Sequence, residues 1–87
     1  MGIYTRYSTK SYVVRTKFGE WLASHLCSTG MTIQEVADKL HLGSRQMVAR
    51  NLNGTAKPSF RGVVAYCWVF NSKDDPEYIW NLTKEEL

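Results

Sequence analysis

Apolar side chains recur along this chain at helical spacing, interrupted by glycine, proline and capping residues. From Lys17 onward, Phe18, Trp21, Leu22, His25 and Leu26 fall at i, i+3, i+4, i+7 and i+8, the stripe of an amphipathic helix. Thr29-Gly30 ends it, because glycine readily takes the left-handed backbone conformation at a helix terminus. Thr32-Ile33-Gln34-Glu35 is a capping-box pattern, in which the threonine hydroxyl and the glutamate carboxylate each satisfy an orphan backbone N–H. A second helix starts there, with Ile33, Val36, Ala37 and Leu40 as its apolar face, and runs out at His41-Leu42-Gly43. Ser44 can cap a third helix from Arg45 to Asn53, which Gly54 ends.

A fourth segment is expected to start at Pro58 and reach Phe70-Asn71. Val63 to Phe70 has strong strand propensity and, taken alone, reads equally as a buried strand; the lengths of the surrounding segments favour a helix. Asp74-Asp75-Pro76-Glu77 is an acidic, proline-led start for a last short helix through Leu82. Residues 1–15, with the run Tyr7 to Val14, read as either an arm or one edge strand ahead of a helical domain over residues 16–87. The predicted fold class is all-α, with five helices.

Eighty-seven residues support one hydrophobic core, and 44% hydrophobic content is enough to build it without metals or disulfides. No run of about 18 apolar residues exists, and the start Met1 to Arg6 lacks a signal peptide's apolar stretch, so the expected setting is the cytoplasm, with no membrane contact. Cys27 and Cys67 sit inside apolar helical patterns and are expected to be buried, reduced thiols. His25 and His41 have no cluster of other ligands, so neither a metal nor a cofactor is expected. Nothing has the form of a nucleophile and its base: Ser24 and His25 are adjacent on a helix and point apart. The chain is not expected to be an enzyme.

Charge divides unevenly. Residues 1–61 carry nine Lys/Arg against Glu20, Glu35 and Asp38, a balance of +6; residues 62–87 carry two Lys against five Asp/Glu, a balance of −3. A basic front suits a polyanion, although ordinary solvated charge explains it equally well.

The run Thr32 to Val48, with Asn53-Gly54 and Lys57-Pro58-Ser59 after it, resembles the Cro and phage-repressor class of helix-turn-helix proteins. Ala37 stands at that family's small mid-helix position, and Pro58 to Asn71 resembles its next helix, with Cys67 at the small position. The resemblance covers residues 17–82 and implies a lambda-repressor-like domain binding double-stranded DNA as a transcriptional regulator of phage or mobile-element type. His41 stands where the family usually has glycine, so the turn His41 to Ser44 could be one residue longer or the third helix rotated.

At about 100° per residue, Met47, Val48, Asn51 and Leu52 of the third helix share one side, while Gln46, Ala49, Arg50 and Asn53 share the other. The first side is expected to pack. The second, together with Arg45, offers what the major groove presents for reading: arginine can clamp guanine, glutamine or asparagine can pair with adenine, and alanine can meet a thymine methyl. No Asp or Glu occurs between Lys39 and Asp74, where a carboxylate would oppose phosphates. By resemblance, Gln34 grips the DNA backbone, and Ser44, Lys57 and Arg61 are expected to add phosphate contacts. Arg6, Lys10, Arg15 and Lys17 could form an arm reaching a neighbouring groove, or a tail with no such role. In the family pattern Val63, Tyr66, Cys67 and Phe70 face the core, which leaves Val64, Ala65, Trp68 and Val69 as an apolar outer face suited to a homodimer. The alternative is a helix-turn-helix scaffold that binds a protein partner through the same face, as in an anti-repressor or antitoxin.

Overall fold

A computed structural model of the chain describes residues 2–4, 12–40 and 44–87. The elements run β1 (Gly2–Tyr4), β2 (Tyr12–Val14), α1 (Lys17–Thr29), α2 (Ile33–Leu40), α3 (Arg45–Asn53), α4 (Phe60–Phe70) and α5 (Pro76–Leu82). The turn His41 to Gly43 and the cations Arg6 and Lys10 lie outside the described residues.

Each helix boundary has a local cause. Thr16 caps α1 by accepting from the Gly19 N–H at 3.0 Å, and Gly30 ends it at φ 76°. The capping box before α2 is formed in both directions: the Glu35 N–H donates to Thr32 Oγ1 at 3.1 Å, and the Thr32 N–H donates to Glu35 Oε1 at 2.9 Å. Ser44 accepts from the Met47 N–H at the start of α3, and Gly54 closes that helix at φ 83°. Asp75 caps α5, with Pro76 in its first turn.

The fourth helix begins two residues later than expected. Ser59 is its cap, accepting from the Gly62 N–H at 3.1 Å, so Pro58 directs the chain into the cap rather than forming the first turn. Asn71 ends α4 in the left-handed conformation at φ 53°. The strand propensity of Val63 to Phe70 is overridden because Val63, Tyr66, Cys67 and Phe70, at i, i+3, i+4 and i+7, form one stripe that the core covers.

The core joins α1 (Phe18, Leu22, Leu26) to Ile33, Val36 and Ala37 of α2, Val48 and Leu52 of α3, the α4 stripe, and Ile79 of α5. Full burial of an aliphatic or aromatic side chain contributes about 1.5–3 kcal/mol, so these residues outweigh every cap and ion pair. Cys27 departs from expectation: it is exposed, being one residue and therefore about 100° beyond Leu26, whereas Cys67 is buried.

The boundary at residue 15 falls inside the packed unit. Val14 at the end of β2 is 2% exposed and belongs to the core, and β2 rests on α3 and α1. Two three-residue strands pair antiparallel, with Gly2 opposite Val14 and Tyr4 opposite Tyr12. Such a short hairpin is not stable alone and depends on this docking. The C-terminal residues return to the same place: the Lys17 N–H donates to the Glu85 carbonyl at 2.9 Å, and the Leu87 N–H to the Arg15 carbonyl at 3.0 Å. Among the described residues, no helix is long and apolar enough to cross a membrane.

Candidate nucleic-acid interface

Helix α3 is held from behind. Val48 and Leu52 are fully buried against α1 and α2, and between them Asn51 turns its amide inward. Its Nδ2 donates to the Ala56 carbonyl at 2.9 Å, and its Oδ1 accepts from the Tyr66 hydroxyl at 2.8 Å. One buried carboxamide thus ties α3 to the following loop and to α4. Burial pushes the Tyr66 phenol far above its ordinary pKa, so it stays protonated and donates.

With α3 fixed this way, Arg45, Gln46 and Arg50 are exposed, while Ala49 and Asn53 are half-buried. Asn53 is partly committed: its Oδ1 accepts from the Thr55 N–H at 3.0 Å and the Thr55 hydroxyl at 2.8 Å, leaving only its amide donors for a base. Met47, expected on the packed side, is 50% exposed. The inward hydrogen bonds of Asn51 and the burial of Val48 and Leu52 define a narrow packed face, and Met47 lies at its edge.

Around this row, Ser44, Lys57 and Arg61 are exposed. Ser44 Oγ is occupied as the α3 cap. Gln34 is exposed in the first turn of α2, but its Nε2 donates to Asp38 Oδ1 at 3.0 Å, so a phosphate would have to displace that bond. Among the described residues the ion pair of a lysine or arginine is Lys17 with Glu85 at 3.2 Å, and His25 Nε2 lies 3.9 Å from Asp74 Oδ2, so no described carboxylate neutralises Arg45, Arg50, Lys57 or Arg61. Arg15 also belongs here: its guanidinium makes a long 3.5 Å contact to the Asn53 carbonyl at the end of α3. Sequence reading left Arg15 in an arm, a tail or an edge strand; the signal for its position was Val14, an apolar residue that anchors its neighbour to the core.

On the far side of α4, Trp68 is 71% and Val64 41% exposed, with Ala65 and Val69 half-buried. Phe60, also exposed, stands edge-on to Trp80 at 6.1 Å. Val64 and Trp68 therefore lie open, whereas Ala65 also borders a groove shared with Met47 and Asn51 of α3.

A third cluster fastens α1 to the α4–α5 loop. The Trp21 indole N–H donates to Asp74 Oδ2 at 2.9 Å, the Ser72 hydroxyl donates to the same oxygen at 3.1 Å, and His25 stacks on Phe70 at 5.0 Å. The Trp21 and Ser72 hydrogen bonds, helped by His25, hold the Asp74 carboxyl below its usual range. Burial, then the charges of Asp74 and Asp75, push the Cys67 thiol up, which keeps it protonated and poorly nucleophilic. Among the described residues no group of three or more His, Cys, Asp or Glu could hold a metal. Compared with known protein families, with curated proteins and with solved structures, the chain finds no match.

Proposed function

We propose that this protein is a sequence-specific, double-stranded DNA-binding regulator of transcription that works in the cytoplasm and reads the major groove with α3. The observation that carries the reading is the outward row Arg45, Gln46 and Arg50 on a capped helix, in a segment without any carboxylate from Leu40 to Lys73. The polar, cationic residues offer base-edge hydrogen bonds, and a helix fits the roughly 12 Å wide major groove. Lys57 and Arg61 supply phosphate contacts beside it, and Arg15 a further one. The repressor role and the phage or mobile-element origin rest on the resemblance alone.

A homodimer through Val64, Ala65, Trp68 and Val69 completes this reading. A two-fold pair buries the same apolar face on both copies and implies an inverted-repeat operator. The exposure of Trp68 also favours a second reading, in which that face binds a different protein and α3 serves as scaffold.

Selection of bound sequences from a random duplex pool, followed by a salt titration, tests the proposal. Three to five neutralised phosphates per monomer give a log–log salt slope of about −2.7 to −4.5. Arg50→Ala should relax preference at one base pair by about 1–3 kcal/mol while the fold persists. A slope near zero refutes DNA binding, and an Arg50→Ala protein weakened equally on all duplexes moves Arg50 from base to phosphate.

A further inference from the structure

Beside α3 lies a groove of which the proposed DNA recognition uses only Lys57, at its rim. It has a volume of about 310 Å³ and is enclosed by the end of α2, by α3 and by the start of α4. Leu40, Met47, Pro58, Ala65 and Tyr66 make its lining mainly apolar, and Gly62 leaves room by contributing no side chain. A concave apolar site with a few convergent polar groups is the usual form of a small-molecule pocket, and this volume suits a compound smaller than a typical drug.

The polar groups define the chemistry. Asn51 is committed to Ala56 and Tyr66, and Ser59 Oγ is occupied as the α4 cap. Lys57 is the charged group in the lining; it is exposed and makes no ion pair with a described carboxylate. No Asp or Glu lies between Lys39 and Asp74 to compete for it. The exposed thioether of Met47 is flexible and polarizable and packs well against ring edges, while Tyr66, only 2% exposed, closes the groove from the core side.

We propose that this groove binds a small monocarboxylate with an aromatic body, the ring held among Met47, Pro58, Ala65 and Tyr66 and the carboxylate by Lys57. The bound carboxylate takes the Lys57 ammonium from DNA phosphate, so the ligand lowers DNA affinity; this second half rests on the DNA-binding reading.

Phenylacetate, its neutral amide phenylacetamide, and acetate are the probes, titrated into the full chain at millimolar concentration and followed by NMR shifts. Phenylacetate should give saturable shifts at Met47, Gly62 and Ala65. Phenylacetamide should bind about tenfold more weakly, the difference between a charged and a neutral hydrogen bond. Lys57→Ala should bring acid and amide to equal affinity. Gly62→Leu should abolish the shifts by filling the groove; a Cβ there meets only Pro58 and Ser59 at ordinary 3.5 Å contacts, so the helix accommodates it. Ala65→Met is the second filling variant, should Gly62→Leu fail to fold. No saturable shift at these residues, saturation elsewhere, or equal affinity of acid and amide in the wild type overturns the site. In duplex competition, phenylacetate should raise the DNA Kd of the wild type and not of Lys57→Ala. Ligand binding without that effect overturns the coupling; a chain that binds phenylacetate and no DNA overturns the DNA reading and leaves the groove site standing.

Discussion

Tyr66→Phe removes one oxygen atom and tests how α3 is held. The Tyr66 hydroxyl donates to Asn51 Oδ1 at 2.8 Å, and the two residues are 2% and 4% exposed, so water cannot replace the lost donor. The ring is retained, and with it the packing on Phe18 at 5.7 Å and Phe70 at 6.4 Å, so no cavity forms beyond the hydroxyl itself. What remains is a buried carboxamide oxygen without that partner, a cost of about 1–3 kcal/mol. In a domain of this size each kcal/mol lowers Tm by roughly 4–8 °C. Urea unfolding, with the double-mutant cycle Tyr66→Phe and Asn51→Leu, measures the pair directly. The double variant should cost less than the sum of the singles, because removing both polar partners leaves fewer unsatisfied groups; the Ala56 carbonyl, which loses the Asn51 amide, keeps it from being neutral. A Tyr66→Phe protein as stable as the wild type, or singles that add exactly as independent sites would, refutes the claim that this pair fixes α3 to α4.

Trp68→Glu should stay folded because the side chain is 71% exposed, and, if the proposed dimer forms, should be monomeric by sedimentation at concentrations where the wild type is dimeric; a monomeric wild type refutes that dimer, and unfolding of the variant would place Trp68 in the core. Asp74→Asn should be less stable than the wild type at neutral pH. Because the folded carboxyl titrates below its ordinary value, its contribution is present above the unfolded pKa and lost as pH falls through the folded one, so the gap in Tm should close below about pH 4. A pH-independent gap would mean the carboxylate's charge is immaterial. Gly19→Ala should destabilise by about 1–3 kcal/mol in urea unfolding, since a methyl there collides with the Leu52 carbonyl oxygen and crowds Val14; stabilisation, as alanine's helix propensity alone would give, would show that α1 and α3 can separate without cost.

The helix ends were legible in the sequence because their causes act within about four residues. Thr32 and Glu35 find each other by spacing alone, and Gly30 and Gly54 supply the left-handed residue wherever the fold goes. The exposure of Gln46 and Arg50 was readable for the same reason, being a consequence of 3.6-residue periodicity, although Ala49 and Asn53 of the same expected row are half-buried. Decisions between residues far apart in sequence belonged to the tertiary structure. Asn51 looked like one member of a packed row; its partner Tyr66 is fifteen residues away, and only the fold shows that Asn51 is held inward by this bond while Met47, one turn earlier, is exposed. The Trp21 indole reaches Asp74 across fifty-three residues, which no local pattern announces. Gly19 is a weak helix residue by propensity, and only the close approach of the Leu52 backbone makes it necessary. Arg15 became part of the α3 surface because the burial of Val14 and the returning C-terminal backbone fixed its position. Periodicity and caps set which residues a helix presents; packing, which brings distant backbones and buried polar groups within hydrogen-bonding reach, set what each presented residue meets.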